Sequence, residues 1–129
     1  MRKILNPVAS ITFHHLDQVS SFTPTPGGKA YIETTGSFVI PFARGTAAYS
    51  CIDSSTAGGS QYAVTISGNL KTKFKPLGQG IVVIELESGE ILIVGEPELP
   101  VTLNITESLM QKSMQVAHKS WHEPYILAI

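Results

Sequence analysis

The chain has one cysteine, Cys51, in 129 residues. An internal disulfide is therefore excluded, and so is a zinc site built on cysteines. Charge is also scarce: 15% of residues are charged, against roughly 25% in ordinary soluble domains. The net charge of −1 fits neither an acidic tail nor a strongly basic nucleic-acid binder. Aromatic residues make up only 8%, with a single tryptophan, which is little for a surface that stacks on sugars. No apolar run approaches the roughly 20 residues that carry a helix across a bilayer, so no membrane partner is expected. The start, Met1-Arg-Lys-Ile-Leu-Asn-Pro7, is basic but has no apolar core of secretory length before Ser10. A soluble, intracellular product is expected when the chain is made.

Chemical signatures are as sparse. There is no H-E-x-x-H, no G-x-S-x-G, and neither Gly27-Gly28 nor Gly58-Gly59 matches a phosphate-binding or dinucleotide loop. Asp17 and Asp53 are the only aspartates, so a Ser-His-Asp triad has little to draw on. His14 and His15 would point to opposite faces of a strand. His118 and His122 would share a face only in a helix, and would still need a third ligand to hold zinc. No catalytic residue, metal site or cofactor is expected.

What is present is alternation. Two-residue periodicity recurs, broken by 11 glycines and 8 prolines, and this predicts an all-β domain, mainly antiparallel, as a sandwich or barrel. Strands are expected over residues 10–16, 29–35, 37–42, 47–53, 61–70, 81–86, 91–94 and 101–107. Loops are expected near 20–28, which contains Thr-Pro-Thr-Pro-Gly-Gly, and near 54–60, a run of small polar residues. Residues 108–123 stay open between a short C-terminal helix and a strand. Met110, Met114, Ala117 and Trp121 have helical spacing, whereas Met114 and Val116 alternate. Nothing divides residues 1–129 into two domains.

The 81–94 segment predicts a hairpin with Ser88 and Gly89 as its two loop residues. Glu87 then faces Glu90, and Leu86/Ile91, Ile84/Ile93 and Val82/Gly95 form an apolar face. On that register Glu85, Glu87, Glu90 and Glu96 share the opposite face. Lys71, Lys73 and Lys75 alternate with Thr72 and Phe74, as a basic stripe or a lysine-protected edge would. The last residues, 124–129, read as an apolar arm. Its Tyr125, Ile126, Leu127 and Ile129, with the three lysines, are the candidates for a subunit interface.

Three segments together, Val64-Thr-Ile-Ser-Gly-Asn-Leu70, Val83-Ile-Glu-Leu-Glu-Ser-Gly-Glu-Ile-Leu-Ile-Val94 and Gly95-Glu-Pro-Glu-Leu-Pro100, resemble small β-rich virion proteins of tailed phages and prophages of Bacteroides-type hosts. The resemblance spans roughly residues 61–105. It implies a structural part of the tail or neck, made in the bacterial cytoplasm and incorporated into the virion. It further implies a homo-oligomer of rings or stacked rings, in contact with other virion proteins. DNA would pass without specific binding, along a lumen made acidic by Glu85, Glu87, Glu90 and Glu96. Two other classes compete with it: a small β-sandwich module binding carbohydrate or peptide through a loop such as 54–60, and an enzyme with an unrecognised site.

Overall fold

The computed structural model describes residues 2–43, 45–57, 59–70, 78–107, 112–120 and 124–127. They form eleven strands: β1 (Arg2–His15), β2 (Val19–Thr25), β3 (Lys29–Thr34), β4 (Phe38–Val39), β5 (Ala48–Thr56), β6 (Gly59–Asn69), β7 (Gln79–Leu86), β8 (Ile91–Val94), β9 (Val101–Glu107), β10 (Lys112–Ser120) and β11 (Tyr125–Leu127). The expected all-β class is what the chain adopts. A 3-10 turn at Leu16–Gln18 is the one helical piece among the described residues.

The strands are ordered β2-β3-β11-β8-β7-β9-β10-β6-β5-β1-β4, and β7 also pairs with β1. That extra pairing closes a ring through β1, β5, β6, β10, β9 and β7. Two long strands turn its corners. β1 pairs with β5 over residues 2–7 and with β7 from Val8 onward. β9 meets β7 at Val101 and Thr102, and β10 from Leu103. Ala9 is an extra residue between the pairs Val8↔Leu86 and Ser10↔Glu85. Such a bulge bends a strand and raises its twist. It also shifts the inward phase, so that Val8, Ile11 and Phe13 all enter the core.

That main core is filled by alternate residues of the ring strands and β8. Among them are Val64 and Ile66 of β6, Val82, Ile84 and Leu86 of β7, Leu92 and Val94 of β8, and Met114 and Val116 of β10. A second cluster lies on the other face of the β7–β8 hairpin. Ala30, Ile81 and Ile93 are fully buried there, with Val19, Phe22, Ile32, Val83, Tyr125 and Leu127 packed round them. Its members come from neighbouring strands, β2, β3, β11, β8 and β7, so this end of the sheet rolls round its own side chains. Pairs such as Ile84↔Leu92 and Val83↔Ile93 therefore sit in two different cores.

Several expectations are corrected. The 20–28 region is mostly strand, since β2 runs to Thr25 and only residues 26–28 turn. Pro24 is tolerated because β2 is the outermost strand, where a missing N–H breaks no ladder. Residues 54–56 and 59–60 are likewise strand, with Ser54↔Gln61, Ser55↔Ser60 and Thr56↔Gly59 extending the β5–β6 hairpin. The alternative left open at 108–123 resolves to strand over Lys112–Ser120, because β10 finds β6 on one edge and β9 on the other.

The β7–β8 register is one residue away from the expected one. Val82 pairs with Val94, Ile84 with Leu92 and Glu85 with Ile91. The Leu86 N–H donates to the Glu90 carbonyl at 2.8 Å, and the Gly89 N–H donates to the Leu86 carbonyl at 2.9 Å. The loop is thus the triplet Glu87-Ser88-Gly89, with Gly89 at φ +98°. A two-residue loop would need a positive φ at Ser88 as well, or glycine in the first position. Ser-Gly supplies neither, whereas a three-residue loop asks for glycine only at its left-handed end.

Candidate assembly surface

The four glutamates assigned to one acidic ribbon face do not share it, because the register that aligned them is not adopted. Glu85 stands in β7 opposite Ile91, Glu87 lies in the turn and Glu90 just after it, and Glu96 lies beyond β8 in a bridge to Leu99. Glu85, Glu87 and Glu90 are exposed and gather at one end of the hairpin, while Glu96 is half-buried near the other. Lys71, Lys73 and Lys75 lie outside the described residues, as do His122 and Ile129. His118 is in a strand, so the proposed helical pair with His122 is not formed; its Nε2 lies 3.0 Å from the Leu99 carbonyl. Among the described residues, no three His, Cys, Asp or Glu side chains gather as a metal site would need. No described helix is long and apolar enough to cross a membrane.

The apolar arm is also corrected. Residues 125–127 are a strand inside the sheet, antiparallel to β8 through Tyr125↔Ile93 and parallel to β3 through Leu127↔Ala30. Tyr125 and Leu127 point into the second cluster of their own chain, so they are not free to reach a neighbour. Ile126 alternates to the other face and is 40% exposed. It pairs with Lys29, and Tyr31, two residues on from Lys29, points the same way and is 50% exposed. Tyr31, Ile126 and Lys29 therefore make one small protruding patch, apolar with a cationic rim. Sequence alone did not join them, since nearly the whole chain separates Tyr31 from Ile126.

Burial gives Tyr125 an alkaline signature. Desolvation, and secondarily the Glu96 carboxylate, raise its phenol pKa above the usual 10.0. Above pH 10 the unfolded chain then releases a proton that the folded chain retains. Folding stability contributed by the phenol is present below pH 10 and declines as pH rises through the raised value. A Tyr125→Phe variant is expected to lose this part of the alkaline decline. Thermal unfolding between pH 8 and 11 measures it, and identical pH slopes in the two proteins would contradict the shift.

A groove lies beside the bulge of β1. Val8, Ala9, Ser10, Val39, Ile40, Pro41, Phe42 and Glu87 line it, around a volume of about 730 Å³. Beside it the Ile40 N–H donates to the Ile11 carbonyl at 2.9 Å, and the Val8 N–H donates to the Ala47 carbonyl at 3.0 Å. Val39, 65% exposed, stands on its lip. One carboxylate, Glu87, belongs to its wall, and Glu85 follows on as the partner of Ser10.

The open backbone edges are blunted by contrast. β2 carries Pro24 and a register shift between Val19 and Ser21, and β4 is two residues long with Pro41 close behind. Proline, bulges and shortness are the features that keep edges from pairing. These two outer edges are therefore poor templates for pairing with a strand of another chain. No family model, curated protein or solved structure matches the chain.

Proposed function

We propose that the chain is a self-assembling structural protein of a tailed-phage virion, in the tail tube or at the head–tail connection. The resemblance over residues 61–105 supports this. Its three segments occupy β6 with Leu70, the β7–β8 hairpin, and the turn that closes the Glu96–Leu99 bridge. The observation that carries self-assembly is apolar surface left outside two filled cores: Tyr31 with Ile126 at one place, and Val39 on a groove of mixed polar and apolar lining at another. Large apolar side chains grouped at a surface are costly to hydrate and are usually covered by a partner. Copies of the same chain are the partner always at hand.

The test is the mass of the full-length protein by light scattering over a range of concentrations, with the same samples viewed by negative-stain microscopy. Rings or stacked rings are expected. A protein that stays monomeric at high concentration would overturn the proposal.

A further inference from the structure

The patch and the groove fit each other. The patch offers an aromatic and a branched aliphatic side chain with a lysine at its side; the groove is mixed, with Val39, Pro41 and Phe42 as apolar wall and Ser10 and Glu87 as polar wall. Lys29 and Glu87 are both exposed, and Glu85 and Glu90 add negative charge at the groove's end of the hairpin. Glu33 is the one acidic side chain on the patch face of β3. The two surfaces share no residue and belong to different strands: β3 and β11 for the patch, β1, β4 and the β7–β8 turn for the groove.

We propose that Tyr31 and Ile126 of one copy seat in the groove walled by Val39, Pro41 and Phe42 of a second copy, with Lys29 meeting Glu87. This rests on the self-assembly proposed above and names its contact. Apolar contact at the centre supplies affinity, and the charge pair at the rim supplies orientation and encounter rate. Because the contact joins two different surfaces, a growing assembly still presents one free patch at one end and one free groove at the other. Such heterologous contacts propagate and close into a ring when the rotation allows. The charge pair favours this direction, because patch against patch brings Lys29 onto Lys29 and groove against groove brings Glu87 onto Glu87.

The experiment uses two full-length variants at exposed positions, Tyr31→Ser/Ile126→Ser and Val39→Asp, each checked for an unchanged fold by circular dichroism. Each alone is expected to need a concentration higher by about tenfold or more to associate, as central interface positions do. Mixed in equal amounts, they have one intact patch and one intact groove between them, so heterodimers that grow no further are expected. A second pair tests the rim: Lys29→Glu weakens association and Glu87→Lys in the mixing partner restores it. If the natural sequence assembles and the variants assemble equally well, the contact is overturned while self-assembly stands. If the natural sequence is monomeric, both fall. Mixed variants that stay monomeric, or a natural protein that stops at a dimer, would also overturn the head-to-tail contact.

Discussion

Deleting residues 125–129 is expected to release the β2–β3 hairpin from the rest of the protein. In the sheet order this hairpin is joined onward only through β11, which lies between β3 and β8. A two-stranded hairpin without a third strand or a covering element is marginal in water. The deletion removes the Tyr125 and Leu127 side chains from the second cluster, together with the edge-on contact of Tyr125 with Phe22, whose ring centroids lie 5.6 Å apart. It also uncovers Ala30 and Ile93, both fully buried in the intact chain. At about 1.5–3 kcal/mol for each large apolar side chain returned to water, the loss amounts to about 5 kcal/mol. Whole domains have only about 5–15 kcal/mol. A fall in Tm of at least about 10 °C is expected. Amide exchange should accelerate across residues 19–34 while β5, β6 and β10 keep their protection. The milder Tyr125→Ala should cost about 2 kcal/mol, since the ring is only partly buried. An unchanged Tm with lost assembly would instead mean that the segment serves a neighbour. Ile126→Ser separates the two roles, because it alters the outward side chain and leaves the inward pair in place.

Much of this arrangement was legible in the sequence where the signal is local. The alternation of Val64, Ile66 and their neighbours marked β6, and Val101, Leu103 and Ile105 marked β9, because each strand has a single apolar face. Legibility failed where a partner distant in sequence makes the decision. Met114 and Val116 are compatible with helix or strand until Gly68 and Ile66 of β6 pair with them. Residues 54–56 have no apolar pattern because backbone pairing alone extends that hairpin. β2 reads as a loop because Pro24 forbids a central strand, but a proline does not forbid an outermost one. The hairpin register was missed for a related reason. Register is fixed by sorting apolar from polar faces, and β7–β8 buries both faces, so the sorting had little to reject. Turn chemistry at Gly89 decided instead. The candidate assembly surface was the least legible part. Of the residues assigned to an interface from sequence, Ile126 alone is seen exposed, and the groove arises from a bulge at Ala9 that no local pattern marks.

The ring closes through seven β1–β7 pairs and two β7–β9 pairs that meet at Gly80, and Gly80→Ala is expected to strain that corner. Gly80 pairs with His15 of β1 on one edge and with Val101 of β9 on the other. Its backbone is not in the left-handed region, so any penalty is steric. A Cβ there would overlap the His14 carbonyl oxygen and lie 2.6 Å from Phe13 Cζ. Phe13 is itself fully buried, and the carbonyl belongs to a strand paired along its length, so neither can step aside cheaply. Overpacking of a tight core costs about 1–3 kcal/mol and sometimes more; with backbone as the obstacle, the upper end applies. A fall in Tm of about 10 °C is expected. Gly68→Ala provides the scale, because there the added Cβ meets the Ala47 Cβ at 3.2 Å and its Cα at 3.3 Å. That demands a shift of only tenths of an ångström, and about 1 kcal/mol should suffice. If Gly80→Ala unfolds at the same temperature as the natural sequence, β1 and β7 are not as close at this corner as the ring requires.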